Sequence, residues 1–446
     1  MSKLRGSAPV RTSPSTPAGR KPALLLLGSD QPAGVGGDIT SRAVLEGRSR
    51  GLFTHLTDRP RFLAETLVQR ALADDYSVIE FSDDIELSRE VLARIGSRSH
   101  FDVVFDVGAD TEVAAATIAA GLGAPGNDPA AVRRLRDKDL CRAALAAAGF
   151  PQPGYRVCAD LPAAVDFLRQ SRGPWIVKSR RPANARGVYK VSGPAELAAA
   201  VARLPRSGSF LVEEFVQGRE FSVEGLFIDG APQVLAVVEK QFDEAHGYRE
   251  VGHVLPAALP ARRTADIHQM VTAALRALGL TFGIFHVELW LTDEGIVLGA
   301  IHIRPGGDWI HVLLGYAIPG VELFGCVFDD ALGRPAQRLP VATRAAAVRF
   351  VAAPPGRLVV VEGWDRILEH PAVLRAELGV EAGEAVGTPY WPDDRAAAIV
   401  VGAETAAFAG ALATDLAALV RFVVEPPPPP APPSASRSAT EHRFRR

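Results

Sequence analysis

Two neighbouring apolar segments near residue 290 constrain the fold of this chain more than any other feature. The first runs from Gly283 to Trp290 and contains Glu288. Twelve residues after Glu288 the second begins, and it reads Ala300-Ile301-His302-Ile303-Arg304-Pro305-Gly306-Gly307-Asp308. Short apolar runs with interspersed polar residues are typical of strands. A carboxylate on one strand and an arginine on the next indicate a site for a magnesium-bound nucleotide, because Mg²⁺ prefers oxygen ligands and arginine binds phosphate.

Composition limits the class of protein. The 446 residues, 48% of them hydrophobic, can form about three domains at the usual ~100–200 residues each. Because 49 basic residues nearly balance 51 acidic ones, no nucleic-acid or membrane partner is expected, and a homodimer is left open. The three cysteines lack metal-type spacing, which favours a reducing cytoplasm. The early apolar run from Ala23 to Leu27 is too short to span a membrane.

The order of segments predicts a multidomain protein that combines α/β and α+β units. Strands alternating with helices predict a parallel, Rossmann-like sheet in the first unit. The second unit begins with a helix from Ala130 to Ala148 and continues with a strand-rich stretch. The expected divisions are a disordered tail 1–20, an N-terminal domain 21–127, a small lobe 128–205 and a large lobe 206–338 of one central domain 128–338, a C-terminal subdomain 339–424, and a proline-rich disordered tail 425–446.

Two lysines are candidates for phosphate binding. Lys138 precedes an apolar helix, and Lys178 closes the apolar strand that starts at Trp175. A lysine at the end of a buried strand can reach a polyphosphate while its stem packs on apolar residues. Taken alone, each lysine is more typical of an ordinary position, a solvated helix start for Lys138 and a strand end for Lys178. The following loop keeps Gly187 and carries three arginines, so it either binds phosphate through guanidinium groups or is a basic surface turn. These arginines are Arg180, Arg181 and Arg186.

A third candidate segment is Phe210-Leu211-Val212-Glu213-Glu214-Phe215-Val216-Gln217-Gly218-Arg219-Glu220-Phe221-Ser222-Val223-Glu224. The simplest interpretation is an antiparallel hairpin with a glycine turn. The alternative is a hinge that carries acceptor groups, since a carboxylate such as Glu220 can accept hydrogen bonds from two hydroxyl groups.

The order of these motifs resembles the ATP-grasp superfamily, and within it the amino-acid and dipeptide ligase branch. Four features carry the resemblance: Asp137-Lys138 followed by the strand-end Lys178, the segment around Glu220, the stretch Glu250-Val251-Gly252-His253, and the strands of Glu288 and Arg304. The segment from Ala347 to Gly402 also resembles the C-terminal subdomain of these ligases. The resemblance implies an ATP-grasp fold with an N-terminal Rossmann-like domain and a C-terminal lid.

The resemblance also implies a function and roles for individual residues. The function is that of an ATP-dependent carboxylate–amine ligase that uses ATP and Mg²⁺ or Mn²⁺, forms an acyl phosphate, and releases ADP and phosphate. Its substrates would be amino acids or peptides, in natural-product biosynthesis. The implied ATP-binding residues are Lys138, Lys178, Arg186, Gly187, the main chain of Glu213, Glu214, Phe215 and Val216, and Glu220 at the ribose. The implied metal ligands are Glu288 and His302, and the implied catalytic residues are Arg304, Glu288 and Lys178. The implied substrate-binding residues are Glu250, His253, Arg304, Gly306 and Gly307.

One feature of the superfamily is missing. Its second strand usually has a carboxylate where this chain has Ala300 and an asparagine where it has His302. Histidine is a poor ligand for Mg²⁺ but accepts Mn²⁺ and transition metals more readily. Either Glu288, phosphates and water suffice, with help from Asp308, or metal binding and catalysis are weakened.

Three alternatives remain. The chain is an ATP-binding homologue without ligase activity, an ATP-grasp enzyme that activates a carboxylate for ring closure, or a dinucleotide-dependent oxidoreductase. The last is disfavoured because the glycine motif after the first strand has Ile39 in place of its third glycine.

Overall fold

The computed structural model describes ten ranges of the chain. They are 20–28, 34–60, 66–96, 100–108, 110–180, 187–204, 208–243, 249–335, 338–387 and 395–425. The two predicted tails therefore lie almost wholly outside the described residues, as do Arg181 and Arg186.

The N-terminal domain contains a four-stranded parallel sheet with the order β3-β2-β1-β4. The strands are β1 (Ala23–Leu27), β2 (Phe53–Asp58), β3 (Asp75–Val78) and β4 (Val103–Asp106), and the helices are α1 (Gly34–Ser49), α2 (Leu67–Leu72), α3 (Asp84–Val91), continued by a π-helical turn (Leu92–Gly96), and α4 (Glu112–Leu122). The predicted parallel, Rossmann-like sheet is confirmed.

A second four-stranded sheet, all antiparallel, follows with the order β5-β8-β6-β7. Its elements are α5 (Pro129–Arg136), α6 (Lys138–Ala147), β5 (Tyr155–Cys158), α7 (Leu161–Gln170), β6 (Trp175–Ser179), β7 (Val188–Val191), α8 (Pro194–Arg203) and β8 (Phe210–Glu214). The prediction of one helix from Ala130 to Ala148 is wrong. Asp137 has extended backbone angles, φ −86° and ψ 106°, and separates α5 from α6.

The largest sheet has eight antiparallel strands in the order β13-β12-β9-β10-β11-β14-β18-β16, and a small sheet has the order β17-β15-β19. The strands are β9 (Arg219–Ile228), β10 (Ala231–Asp243), β11 (Arg249–Leu255), β12 (Ile284–Thr292), β13 (Gly295–His302), β14 (Ala345–Val351), β15 (Gly356–Glu362), β16 (Val373–Leu378), β17 (Ala385–Val386), β18 (Ala397–Ala403) and β19 (Arg421–Glu425), and the helices are α9 (Ala261–Ala277), α10 (Ile310–Ala317), α11 (Leu323–Ala331), α12 (Trp364–Leu368) and α13 (Ala406–Leu419). The C-terminal segment thus extends the sheet of the central domain. None of the described helices is long and apolar enough to cross a membrane.

Two apolar clusters cover most of the eight-stranded sheet. On one face, β12 residues such as Val287 pack with α5, α6 and α9. On the other face, residues such as Leu226 and Val238 pack with the N-terminal domain, α10 and α11. This second cluster covers only part of its face. Along β9, β10, β12 and β13 the rest of that face carries polar and charged side chains, which form the candidate site.

Candidate active site

Cross-strand register brings the polar side chains of the eight-stranded sheet into rows. Residues paired directly across antiparallel strands lie on the same face of a sheet. The pairs are Glu224 with His286, His286 with His302, Ser222 with Glu288, Glu220 with Trp290, and Lys240 with His253. Residues far apart in the sequence therefore share one surface.

Lys240 lies at the centre of this surface, and its side chain is only 7% exposed. Its Nζ lies 2.6 Å from Oε1 of Glu288 and 2.8 Å from Oε1 of Glu220. We call Lys240, Glu220 and Glu288 the Lys240 cluster. Burial opposes ionisation of Glu288, but the charge of Lys240 holds the pKa of this carboxyl well below its usual value. At Glu220 burial prevails over Lys240 and raises the pKa. Sequence reasoning did not identify Lys240 as a site residue, although Glu239-Lys240 stands beside the predicted pocket.

A second ion pair lies next to this cluster. Nδ1 of His286 is 2.7 Å from Oε1 of Glu224, and Nε2 of His286 is 3.8 Å from Oε1 of Glu288. Burial would lower the pKa of His286, but the charge of Glu224 raises it to about 9. Gly306 covers this pair, since a Cβ there would come within 2.9 Å of Nδ1 of His286 and 3.0 Å of Oε2 of Glu224. Close packing against His286 and Glu224, rather than a positive φ angle, explains why residue 306 is a glycine.

His302 lies beside His286, with ring centroids 5.9 Å apart and nearly parallel planes. Burial and the positive charges of Arg304 and His286 hold the pKa of His302 well below its usual value. The imidazole is consequently neutral at pH 7, which is the form that binds metals.

The predicted phosphate-binding lysines lie together at the edge of the small lobe. The backbone N–H of Lys138 donates to the carbonyl of Arg180, 3.0 Å away, which joins α6 to the end of β6. Nζ of Lys178 lies 2.7 Å from Oε2 of Glu213. Burial and the charge of Lys178 lower the pKa of Lys138 to about 8. The charge of Glu288 acts on both lysines, so the two lobes present these groups to each other.

Arg142 is a buried residue that sequence reasoning missed. Its Nη2 donates to Oε2 of Glu213 at 2.8 Å, and its Nη1 donates to Gln152 at 3.0 Å. Burial opposes ionisation of Glu213, but Lys178 and Arg142 lower its pKa to about 2. The Glu213 carboxylate therefore anchors two cations, and its main chain lies in β8, which pairs with both β5 and β6.

The segment between β8 and β9 is not a hairpin. β8 pairs with β5 and β6 in the small sheet, whereas β9 pairs with β10 and β12 in the large one. The hairpin interpretation is therefore wrong, and residues 215–218 connect two lobes. The amides of Glu214 and Phe215 already donate to the carbonyls of Gly154 and Pro174, and Phe215 stacks against Lys190. Glu220 accepts from the indole N–H of Trp290 at 3.1 Å.

Arg304 extends from the bend after β13 towards the N-terminal domain. Its Nη1 donates to the carbonyl of Pro305 at 3.0 Å, and its Nε lies 3.5 Å from Oε1 of Glu112 on α4. Burial raises the pKa of Glu112 to about 7, although Arg304 opposes the shift. A cavity with about 390 Å³ of empty space, partly open to solvent, lies beside this pair. The cavity is lined by Val104, Phe105, Asp106, Glu112, Ala115, Ala116, Ala119, Gly126, Asn127, Val132, Phe282, Gly283 and Ile303.

The predicted substrate-binding residues Glu250 and His253 form a second charged group with Asp308 and Arg395, which we call the Arg395 cluster. Nη2 of Arg395 donates to Oε1 of Glu250 at 2.7 Å, and its Nη1 donates to Asp308. Nε2 of His253 lies 3.2 Å from Oδ2 of Asp308. Burial would lower the pKa of His253, but Glu250 and Asp308 raise it to about 9. Arg395 comes from the C-terminal segment and was not predicted.

The remaining predicted positions are Gly187 and Gly307. Gly187 immediately precedes β7 and has φ +84°, a conformation that favours glycine. Gly307 has open space at the position of a Cβ. Two non-glycine residues with positive φ follow it, Asp308 (57°) and Trp309 (65°).

The donor sets of the two clusters suit metal ions differently. Glu250, His253 and Asp308 have ligand atoms within 4.8 Å of one another, but Arg395 and a protonated His253 already compensate the two carboxylates. Glu288 is 26% exposed, and its contacts with Lys240 and His286 both use Oε1. Glu288 and His302 therefore fit one divalent cation, with remaining ligands from nucleotide phosphates. Ala300, on the strand next to Glu288, offers no ligand atom.

Comparison with known proteins agrees with this geometry. Residues 171–311 match the family model of the ATP-grasp domain, and residues 349–425 match that of L-amino acid ligase C-terminal domain 2. The chain therefore contains an ATP-grasp domain. Its C-terminal region is similar to that of L-amino acid ligases.

Individual relatives support the same assignment. Human carnosine synthase 1 is 29% identical over 330 residues, which cover 66% of this chain and 39% of that protein. D-alanine–D-alanine ligase of Sodalis glossinidius is 33% identical over 184 residues, which cover 38% of this chain and 50% of that protein. The crystal structure of L-amino acid ligase from Bacillus licheniformis superposes with a TM-score of 0.74 at 19% identity, covering 91% of this chain and all of that one. The chain thus matches half or less of the length of these two curated relatives.

Proposed function

We propose that the chain is an ATP-dependent carboxylate–amine ligase that joins amino acids or short peptides. One observation carries the proposal: α6 and β6 of the small lobe bring Lys138 and Lys178 together, and the polar face of the large sheet carries Glu288. Cations on one lobe and an acid on the other suit a polyphosphate that bridges them through a metal ion. Two of the similar proteins are named as ligases of amino acids, D-alanine–D-alanine ligase and L-amino acid ligase, and these names support the substrate class.

The reaction would proceed in two steps. An oxygen of the substrate carboxylate attacks the γ-phosphorus of ATP, the bond to the β–γ bridging oxygen breaks, and ADP leaves. The amine nitrogen of the second substrate then attacks the acyl carbon of the acyl phosphate, phosphate leaves, and the nitrogen loses a proton as the amide forms.

We propose the following roles for the residues. Lys138 and Lys178 hold phosphate oxygens, and Arg304 places positive charge where negative charge develops, which lowers the barrier. A divalent cation bound by Glu288 and His302 would neutralise charge on the phosphates. Phosphoryl transfer depends mainly on such positioning and neutralisation. Glu220 would accept from the ribose hydroxyls, and Glu250 and His253 would line the amine-substrate pocket.

The proposal is tested by incubating the purified chain with ATP, Mg²⁺ or Mn²⁺, and a pool of amino acids and short peptides. We expect phosphate release that depends on substrate, together with new masses equal to two substrates minus water. Glu288→Gln should abolish both signals. The matched control is Glu294→Gln, because Glu294 is exposed in the turn between β12 and β13. Retained activity in Glu288→Gln would place the metal site elsewhere.

A second candidate function is ATP binding without turnover. It is favoured by Ala300, which removes one ligand, and by Lys240, which occupies one oxygen of Glu288. Calorimetric nucleotide binding without phosphate release, across the whole substrate pool, would support this candidate. If the chain is active, a product mass equal to one substrate minus water would indicate ring closure instead of condensation. Natural-product biosynthesis, as the pathway, remains part of the proposal.

A further inference from the structure

The cavity beside Arg304 combines two acidic side chains with an apolar wall. Asp106 is the last residue of β4, and Glu112 is the first residue of α4; both line the cavity. Three small side chains of α4 form much of the remaining wall, and they are Ala115, Ala116 and Ala119. Ligands of open parallel sheets bind beyond the carboxyl ends of the strands, and the end of β4 borders this cavity.

Each of the two acids keeps one carboxyl oxygen without a hydrogen-bond partner. Oδ1 of Asp106 accepts from the N–H of Gly108 at 3.1 Å and from the hydroxyl group of Thr111. Oδ2 of Asp106 accepts no hydrogen bond from the residues that the structure describes, and Asp106 is only 6% exposed. The same holds for Oε1 of Glu112, which has Nε of Arg304 at 3.5 Å. Buried polar atoms normally have a partner, so two acceptor positions beside the cavity await a donor.

The charges around the cavity are not balanced. Two carboxyl groups share one guanidinium group, that of Arg304, and no lining residue within the described part of the chain is cationic. Burial and the charge of Glu112 raise the pKa of Asp106 well above its usual value. Burial also raises the pKa of Glu112 to about 7, with the charge of Asp110 in the same direction and that of Arg304 against it. A single additional positive charge would allow both acids to ionise.

We propose that this cavity is a specificity pocket for an amino acid whose side chain ends in a primary ammonium group, and that Asp106 and Glu112 bind that group. The inference rests on the proposed function and deepens it by naming the substrate class. An ammonium group has three donors, which suit the two unpaired oxygens, and the alanine wall suits an aliphatic stem. Arg304, whose proposed place is at the reacting group, adjoins the pocket, so one substrate can reach both.

The experiment measures ligand binding to the full chain by calorimetry, with Mg²⁺ and a non-hydrolysable ATP analogue present. Three pairs of L-amino acids share a carbon skeleton and differ by the side-chain ammonium group: ornithine and norvaline, lysine and norleucine, 2,4-diaminobutyrate and 2-aminobutyrate. We expect the ammonium member of at least one pair to bind at least about tenfold more tightly, as charge-assisted hydrogen bonds allow. Equal affinities within all three pairs would overturn the proposal.

Variants assign the preference to the two acids. Glu112→Gln and Asp106→Asn should each remove most of the preference, because an amide keeps the shape of the side chain but not its charge. Asp110→Asn is the matched control, since Asp110 is exposed and does not line the cavity. Unchanged affinity for the ATP analogue shows that a variant is folded. A preference that survives in both Glu112→Gln and Asp106→Asn would overturn the assignment.

Proton release gives a second measurement. A bound ammonium group favours the ionised acids, so ornithine should release more protons than norvaline at pH 7. Titrations in buffers with different ionisation enthalpies measure this release. For the same reason, the affinity for the ammonium ligand should increase from pH 6 to pH 8, as Glu112 ionises. Equal proton release by the two ligands would contradict the proposal.

These measurements do not require turnover, so the two proposals fail separately. An ammonium preference without ADP formation would support the pocket and weaken the ligase proposal. ADP formation without any ammonium preference would support the ligase and overturn the pocket.

Discussion

The Lys240 cluster and the Arg395 cluster lie on the same face of one sheet and have similar compositions, but their charges are balanced differently. In the Arg395 cluster, two carboxylates are compensated by Arg395 and by His253, whose pKa is raised to about 9. In the Lys240 cluster, one ammonium group contacts both Glu220 and Glu288 and also lies 3.4 Å from Glu250. One lysine thus forms ion pairs with three carboxylates.

This difference shows why proximity of acids and histidine is a poor criterion for a metal site. The Arg395 cluster brings its ligand atoms close together, but a divalent cation there would have to displace an arginine. At Glu288 the ammonium group of Lys240 and the protonated His286 likewise lie against the carboxylate. Compensation by neighbouring cations, as well as the number of ligand-type residues, therefore decides whether a position attracts a metal ion.

Removing the shared cation should have the largest effect on stability. Lys240→Met leaves Glu220, Glu250 and Glu288 without their common partner, and breaking a buried ion pair in this way costs about 3–5 kcal/mol. Urea unfolding measures the change, with exposed Lys21→Met as the control. A loss of less than about 1 kcal/mol, the range of surface pairs, would mean that the acids are solvated or protonated.

The Arg395 cluster should make stability depend on pH. The pKa of His253 rises from 6.5 to about 9 on folding, so its contribution is complete below pH 6.5 and is lost as the pH rises to 9. The loss is on the order of 3 kcal/mol. The free energy of unfolding measured between pH 6 and 9 should decline less steeply in His253→Gln. Equal slopes in both proteins would contradict the assignment of this pKa.

Gly306 and Gly307 lie beside the site, one closely packed and the other with open space around it, so that their variants can be compared directly. Gly306→Ala should cost about 2 kcal/mol, because the added methyl group meets the pair formed by His286 and Glu224. Gly307→Ala is the matched control, since nothing lies within 4 Å of its Cβ position. The prediction fails if thermal unfolding shows the two variants to be equally stable.

The smallest effect is expected at Arg395. Arg395→Lys keeps the positive charge but loses the simultaneous contacts with Asp308 and Glu250, at a cost of about 1 kcal/mol. Arg421→Lys, at an exposed position, provides the control. A cost as large as that of Lys240→Met would remove the distinction between the two clusters.

Local pattern predicted much of the fold and drew attention to Lys138 and Lys178, whose role at phosphate stays a prediction. The strands around Val287 and Val177 were predicted correctly because apolar runs signal burial. The break at Asp137 was missed, because apolar periodicity continues through it. Lys240 was not assigned a role because its contacts come from β9, β11 and β12, and pairing between distant strands leaves no local signal. For the same reason Arg142 and Arg395 were not predicted.

The sequence by itself determined the resemblance to ATP-grasp ligases, since the order of motifs from Lys138 to Arg304 and the alanine at position 300 are visible without coordinates. Only the tertiary structure decided which charges neutralise one another. The charge state of a buried group depends on neighbours within a few ångströms, and antiparallel pairing brings those neighbours from opposite ends of the domain. His302 beside His286, and Lys240 between three acids, are consequences of that pairing.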